Sequence, residues 1–73
     1  MDKELREWIE SGEPAIVVAL KPGKIEVTAM VGQLLVGKWT GPAHDLNDAR
    51  RNIKSLLDLA MVDLEMAFKE KNG

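Results

Sequence analysis

The longest regular pattern of hydrophobic and polar positions lies in residues 45–71. Apolar side chains recur there at helical spacing, and no Gly or Pro interrupts them, so the pattern predicts one long helix. A core-facing stripe about 140° wide collects most of the apolar positions, namely Leu46, Ala49, Ile53, Leu56, Leu57, Ala60, Met61, Leu64, Ala67 and Phe68. A second, narrower patch on the opposite side consists of Leu59, Val62 and Met66. Ser55 lies beside it. A helix with two apolar faces needs two partners, so we expect the chain to associate with another copy of itself through the second patch.

The first half of the chain carries shorter patterns, which predict one short helix and three strands. Leu5, Trp8 and Ile9 share a face at i, i+3 and i+4, as in a short amphipathic helix over residues 1–12. Residues 15–40 contain three segments that are β-branched or alternate between apolar and polar positions. Because two short Gly-containing turns separate these segments, they are expected to form two consecutive hairpins.

The two turns set a register for the strands, and with it the two faces of the sheet. The predicted pairs on the face toward the long helix are Leu20 with Ile25, Val18 with Val27, Ile16 with Ala29, Val31 with Leu34, and Ala29 with Val36. The same register places Trp39 beside Glu26 on the outer face, where it would pack under Trp8. Met30 and Leu35 share a row of that face. Because the outer face is substantially apolar, we expect either the short helix or a second subunit to cover it.

Together these patterns predict a single α+β domain over residues 1–73 in the order αβββα. It consists of a three-stranded antiparallel meander packed against one long C-terminal helix, with a short N-terminal helix. The long helix is expected to occupy residues 43–71 and to begin at an Asp45 cap, or else with Pro42 as its first helical residue. In outline, hairpins followed by a charged amphipathic helix resemble small antitoxin and phage-type regulatory modules.

The composition favours a soluble protein of the cytoplasm. Cys is absent from the sequence, and the longest apolar run, Ala15 to Leu20, is far shorter than a membrane span. The formal net charge is −2 and the pI about 5.3, with both signs interspersed. This balance argues against nucleic-acid binding, which draws much of its energy from a basic surface.

The sequence contains no pattern typical of a catalytic, metal or cofactor site. His44 is the only histidine, and its neighbour Asp45 is expected to cap the helix rather than to orient a general base. Without Cys or a second His, a zinc site is not expected, and the glycines do not form a phosphate-binding loop. We therefore predict no enzymatic activity and no cofactor.

These observations predict a small, non-enzymatic, homo-oligomeric interaction module that regulates or inhibits a larger protein, and its size suggests a phage or mobile-element type. The expected surface for self-association consists of Leu59, Val62, Met66 and Ser55. The expected surface for the unknown protein partner or ligand consists of Trp39, His44, Met30, Leu35, Arg50 and Arg51. One alternative is a small-ligand or nucleotide-binding module whose pocket forms between subunits near Trp39, His44 and Arg50 or Arg51. A second alternative is a nucleic-acid-binding regulator that uses the lysines, which the acidic pI opposes.

Overall fold

The computed structural model describes residues 2–72 and confirms the predicted αβββα order. Its elements are α1 (Asp2–Glu10), β1 (Pro14–Lys21), β2 (Lys24–Val31), β3 (Leu34–Pro42) and α2 (Leu46–Asn72). Met1, the first residue of the predicted short helix, and Gly73 lie outside the described residues. Pro42 ends β3, so its alternative role as the first helical residue is wrong. Asp45 caps α2 as predicted, because its Oδ1 accepts a hydrogen bond from the Asp48 backbone N–H at 2.8 Å.

The first hairpin has the predicted register. Leu20 pairs with Ile25, Val18 with Val27, and Ile16 with Ala29. Gly23 in the connecting turn has φ 75°, a conformation that other residues avoid. The second hairpin also starts as predicted, because Gly32 takes φ 61° in the turn and Val31 pairs with Leu34.

From Val36 onward the predicted register of β3 is wrong by one residue. Met30 pairs with Leu35, but Ala29 pairs with Gly37, so Val36 is an extra residue in a β-bulge. Because side chains alternate between the faces of a sheet, one extra residue reverses every position that follows it. Trp39 therefore pairs with Val27 on the inner face. The unbulged register predicted that Trp39 lies beside Glu26 on the outer face and packs under Trp8. That prediction is wrong.

Both helices lie on the same side of the sheet. α2 packs across β2 and β3 and closes a core that includes Val27, Ala29 and Ala60, each with 0% of its surface exposed. α1 packs against the C-terminal half of α2, where the ring centroids of Trp8 and Phe68 are 5.1 Å apart. Of the two covers expected for the outer face, the short helix is therefore wrong, and a second subunit there stays a prediction. No element of residues 2–72 lies over that face, where Val17 and Leu35 are about half exposed.

The contact with α1 also covers part of the long helix that extends past the sheet. α2 has 27 residues and is therefore about 40 Å long, whereas strands of eight or nine residues span only about 26–30 Å. Trp8 shields Phe68, which is 7% exposed. Beyond it, Lys71 Nζ forms an ion pair with Glu13 Oε2 at 2.8 Å. The Lys71 amine, with a smaller contribution from the Trp8 indole, lowers the pKa of Glu13.

Candidate functional site

The first candidate surface is the second apolar patch of α2, here called the helix patch, formed by Leu59, Val62 and Met66. These side chains are 40%, 51% and 56% exposed. Ser55 is exposed beside them. They lie at i, i+3 and i+7, so they share one side of the helix. The structure thus places the predicted self-association residues together on one open surface.

A second apolar surface, which the sequence analysis missed, lies along the inner side of β1. A helix about 10 Å wide covers roughly two strands spaced about 4.8 Å apart, and α2 covers β2 and β3. The inner side chains of β1 are left open, with Val18 at 42% and Leu20 at 62% exposure. We call the channel between β1 and α2 the β1 groove. Comparing the width of one helix with that of three strands would have revealed it from the sequence.

A hollow lies beside each end of the β1 groove, and the one near α1 reaches β1 itself whereas the other lies between β2 and α2. The larger hollow has a volume of about 340 Å³ and lies where α1, β1 and α2 meet, and its lining includes Leu5, Trp8, Ile9, Ile16, Met61 and Leu64. The smaller hollow has a volume of about 160 Å³ and is lined by Ile25, Leu46, Ala49, Ile53 and Arg50. The core-facing stripe predicted for α2 includes Met61 and Leu46, yet these side chains are 53% and 66% exposed. The apolar stripe is therefore wider than the side of α2 that the sheet buries.

Charged residues differ between the two ends of the β1 groove. Arg50 lines the smaller hollow, whereas Glu65 lines the larger one. Glu10 and Arg6 flank a shallow depression beside the larger hollow. α1 as a whole contains four acidic and two basic residues. The α1 end of the groove is therefore the more acidic end, and the opposite end carries the cationic Arg50.

Trp39 is held inside the fold rather than presented at the surface. Its Nε1–H donates a hydrogen bond to Asp63 Oδ2 at 2.6 Å, which joins β3 to α2. Gly37 makes this possible, because a Cβ at position 37 would overlap the Asp63 carboxylate. The bulge at Val36 turns both Gly37 and Trp39 toward α2. Because Trp39 is half-buried and hydrogen-bonded, it is not free to insert into a partner.

The other residues of the predicted partner surface lie in two separate places. Met30 and Leu35 are paired on the outer face of the sheet. His44, Arg50 and Arg51 lie at or near the start of α2. The predicted surface is therefore divided among the inner side of the sheet, its outer face and the beginning of the long helix.

At the start of α2, the acidic side chain of Asp48 binds two of its neighbours. Asp48 Oδ2 accepts a hydrogen bond from the His44 backbone N–H at 3.2 Å, and Asp48 Oδ1 accepts one from Arg51 Nη2. These two contacts lower the pKa of Asp48, the His44 N–H contributing most. The arrangement stabilises the first turn of the helix, where negative charge is favourable.

A charge cluster on the outer face also results from the bulge. Glu26, which is 8% exposed, forms ion pairs with Lys21 at 2.9 Å and Lys38 at 3.3 Å. Its hydrogen bond with Lys21, followed by that with Lys38, lowers the pKa of Glu26. Lys38 reaches Glu26 because the extra residue in β3 places it on the outer face.

Within residues 2–72, no three His, Asp or Glu side chains are grouped so that they could hold a metal ion. Among the helices in that range, none combines the length and apolarity needed to cross a membrane. A scan against protein-family models, a search of curated proteins and a search of solved structures found no match to this chain.

Proposed function

We propose that this chain is a non-enzymatic, homo-oligomeric interaction module that regulates or inhibits a larger protein. The observation that supports this function best is the exposed helix patch. Leu59, Val62 and Met66 together present three large apolar side chains on one side of α2, each at least 40% exposed. Single exposed apolar residues are common, but a contiguous group usually marks an interaction surface.

The helix patch suits pairing with an identical copy. A two-fold axis brings the same surface of two subunits together, so an apolar stripe on a straight helix is complementary to itself when two helices cross. Burying about half of each large apolar side chain contributes on the order of 1 kcal/mol per residue. The β1 groove lies on the other side of α2 and remains open for a further interaction.

The alternative functions receive less support from the structure. Near the suggested ligand pocket, the Trp39 indole N–H already binds Asp63, and Asp48 already binds both Arg51 and the His44 backbone. A nucleic-acid-binding role would require a basic surface, whereas the pI is about 5.3.

The proposed self-association is tested by measuring mass in solution with size-exclusion chromatography and light scattering. The Leu59→Glu/Met66→Glu variant is expected to have a smaller mass than the wild type, because two charges enter each buried patch. The matched control is Leu34→Glu/Leu35→Glu, which adds the same charges at residues that are 66% and 52% exposed but lie outside the patch. The control should retain the wild-type mass. Equal masses for the wild type and the helix-patch variant would refute this interface.

A further inference from the structure

The sheet has one edge that is protected and one that is not. The strand order is β1-β2-β3, so β1 and β3 are the edges. β3 contains the bulge at Val36 and the charged Lys38, both of which hinder the addition of another strand. β1 is unbulged and has only apolar residues from Ala15 to Leu20. An exposed, regular and apolar edge of this kind is suited to pair with another strand.

The hydrogen-bond pattern identifies the backbone groups on this open edge. The Gly32 N–H donates to Glu13 O at 2.8 Å, and antiparallel strands alternate between hydrogen-bonded and non-hydrogen-bonded pairs. Counting along the register from this bond, every second residue of β1 bonds to β2, namely Ala15, Val17 and Ala19. The N–H and C=O groups of the residues between them point away from β2, namely those of Ile16, Val18 and Leu20.

The same three residues face the β1 groove with their side chains. Ile16, Val18 and Leu20 are on the inner face of the sheet, since each pairs with an inner residue of β2. Val18 and Leu20 are 42% and 62% exposed there. One additional antiparallel strand would therefore satisfy the open backbone groups and extend the sheet beside these side chains.

We propose that the additional strand is β1 of a second copy, paired antiparallel about a two-fold axis at Val18. This inference rests on the proposed self-association but uses a surface distinct from the helix patch. In this register Val18 pairs with the partner's Val18, and Ile16 with the partner's Leu20, so all three open residues bond. An axis at Val17 would place Pro14 opposite the partner's Leu20, and an axis at Ala19 would place Pro22 opposite the partner's Ile16. Proline has no N–H to donate in either register. The axis at Val18 is therefore the favourable one.

Charges along the β1 groove support an antiparallel second copy. The two-fold axis brings the α1 end of one groove next to the Leu46 end of the other. Glu65, which lines the larger hollow, then lies toward the partner's Arg50, which lines the smaller one. A parallel arrangement would bring like charges together. The resulting six-stranded sheet carries both copies of α2 on one face, with the two β1 grooves side by side between them.

The first test measures mass in the Leu59→Glu/Met66→Glu background, in which the helix patch is disabled. We expect this parent to be a dimer of the 8.1-kDa chain. Adding Val18→Pro should reduce it to a monomer, because proline removes an N–H that points to the open edge but none that bonds β2. The control, Val18→Thr, keeps the N–H and the branched shape and should remain dimeric. A monomeric parent, or a Val18→Pro variant with the parent's mass, would overturn the proposal.

This design separates the two interfaces. If the helix patch does not mediate association, the parent has the wild-type mass, yet Val18→Pro still lowers that mass when the β1 pairing is correct. If the β1 pairing is wrong, Val18→Pro and Val18→Thr have equal masses, whatever the helix patch does.

Hydrogen exchange in the same parent tests the pairing without a substitution in β1. At high protein concentration, the amides of Ile16, Val18 and Leu20 are expected to exchange at least about tenfold more slowly than after dilution to the monomer. The amides of Ala15, Val17 and Ala19 bond to β2 and should remain protected at both concentrations. Exchange at Val18 that is as fast in the concentrated sample as in the dilute one would refute a strand at this edge.

Discussion

Replacing Gly37 with alanine is expected to destabilise the fold by disrupting the contact between β3 and α2. The new Cβ would overlap the Asp63 carboxylate, which must then rotate away from the Trp39 N–H whose hydrogen bond it accepts. A hydrogen bond to a charged group contributes about 1.5–3 kcal/mol. Because Trp39 and Asp63 are only half-buried, we expect a loss of about 1–2 kcal/mol. In a domain of this size, that corresponds to a fall in Tm of roughly 5–15 °C.

Gly41→Ala provides the matched control on the same strand. A Cβ at Gly41 would meet its nearest atoms, on Asn52 and Leu56, at an ordinary 3.5 Å. That substitution should be neutral or should stabilise by up to about 1 kcal/mol, because alanine reduces the freedom of the unfolded chain. Urea unfolding at one fixed protein concentration gives both free energies. The indole N–H resonance of Trp39 should shift in Gly37→Ala only.

An Asp63→Ala background shows whether the carboxylate is the cause. There the carboxylate is absent, and the nearest atom of residue 63 to the methyl group at position 37 is its Cβ, at 3.0 Å, so Gly37→Ala should cost less than it does in the wild type. If Gly37→Ala is no more destabilising than Gly41→Ala, or costs the same with and without Asp63, the proposed role of Gly37 is wrong.

Two further predictions concern the docking of α1 and the charge cluster on the outer face. Trp8→Ala removes the ring that packs on Phe68 and should cost about 3 kcal/mol. Hydrogen exchange should then show that the backbone amides of α1 lose protection while those of the sheet keep it. Amides of α1 that stay protected would contradict the role of Trp8 in docking α1. Lys21 and Lys38 favour the carboxylate of Glu26 and hold its pKa below the ordinary value of 4.5. The ion pairs of Glu26 therefore stabilise the fold fully above pH 4.5, and this stabilisation is lost as the pH falls through the lowered pKa. The stability difference between the wild type and Glu26→Gln, measured by urea unfolding from about pH 7 to about pH 3, should therefore shrink below pH 4.5, and a constant difference would refute the assignment.

Apolar surface is exposed on both sides of α2. The helix patch lies on one side of α2, and the β1 groove lies on the other. A chain of 73 residues has a small core. Contacts with other copies of the chain would bury apolar surface that this core leaves exposed. We expect assembly through these surfaces to raise the unfolding temperature as the protein concentration rises.

Local patterns in the sequence determined the elements, most of the pairing and the residues of the helix patch. Helical spacing without Gly or Pro specifies α2, and the position of Asp45 before the apolar stripe predicts its role as the cap. The short turns specified the first hairpin, because a two-residue loop leaves only one register for the strands that it joins. These features depend on residues close together in the chain, so they can be read without knowing the fold.

The tertiary structure alone decided where β3 turns its side chains and where α1 docks. The bulge at Val36 arises where β3 meets both β2 and α2, and it brings Gly37 and Trp39 to Asp63, 24 residues beyond Trp39 in the chain. The position of α1 depends on the contact between Trp8 and Phe68, which are likewise distant in sequence. The open β1 groove results from the placement of one helix over two of three strands. Local spacing specifies which side chains share a face, but long-range packing decides which faces meet and which remain exposed.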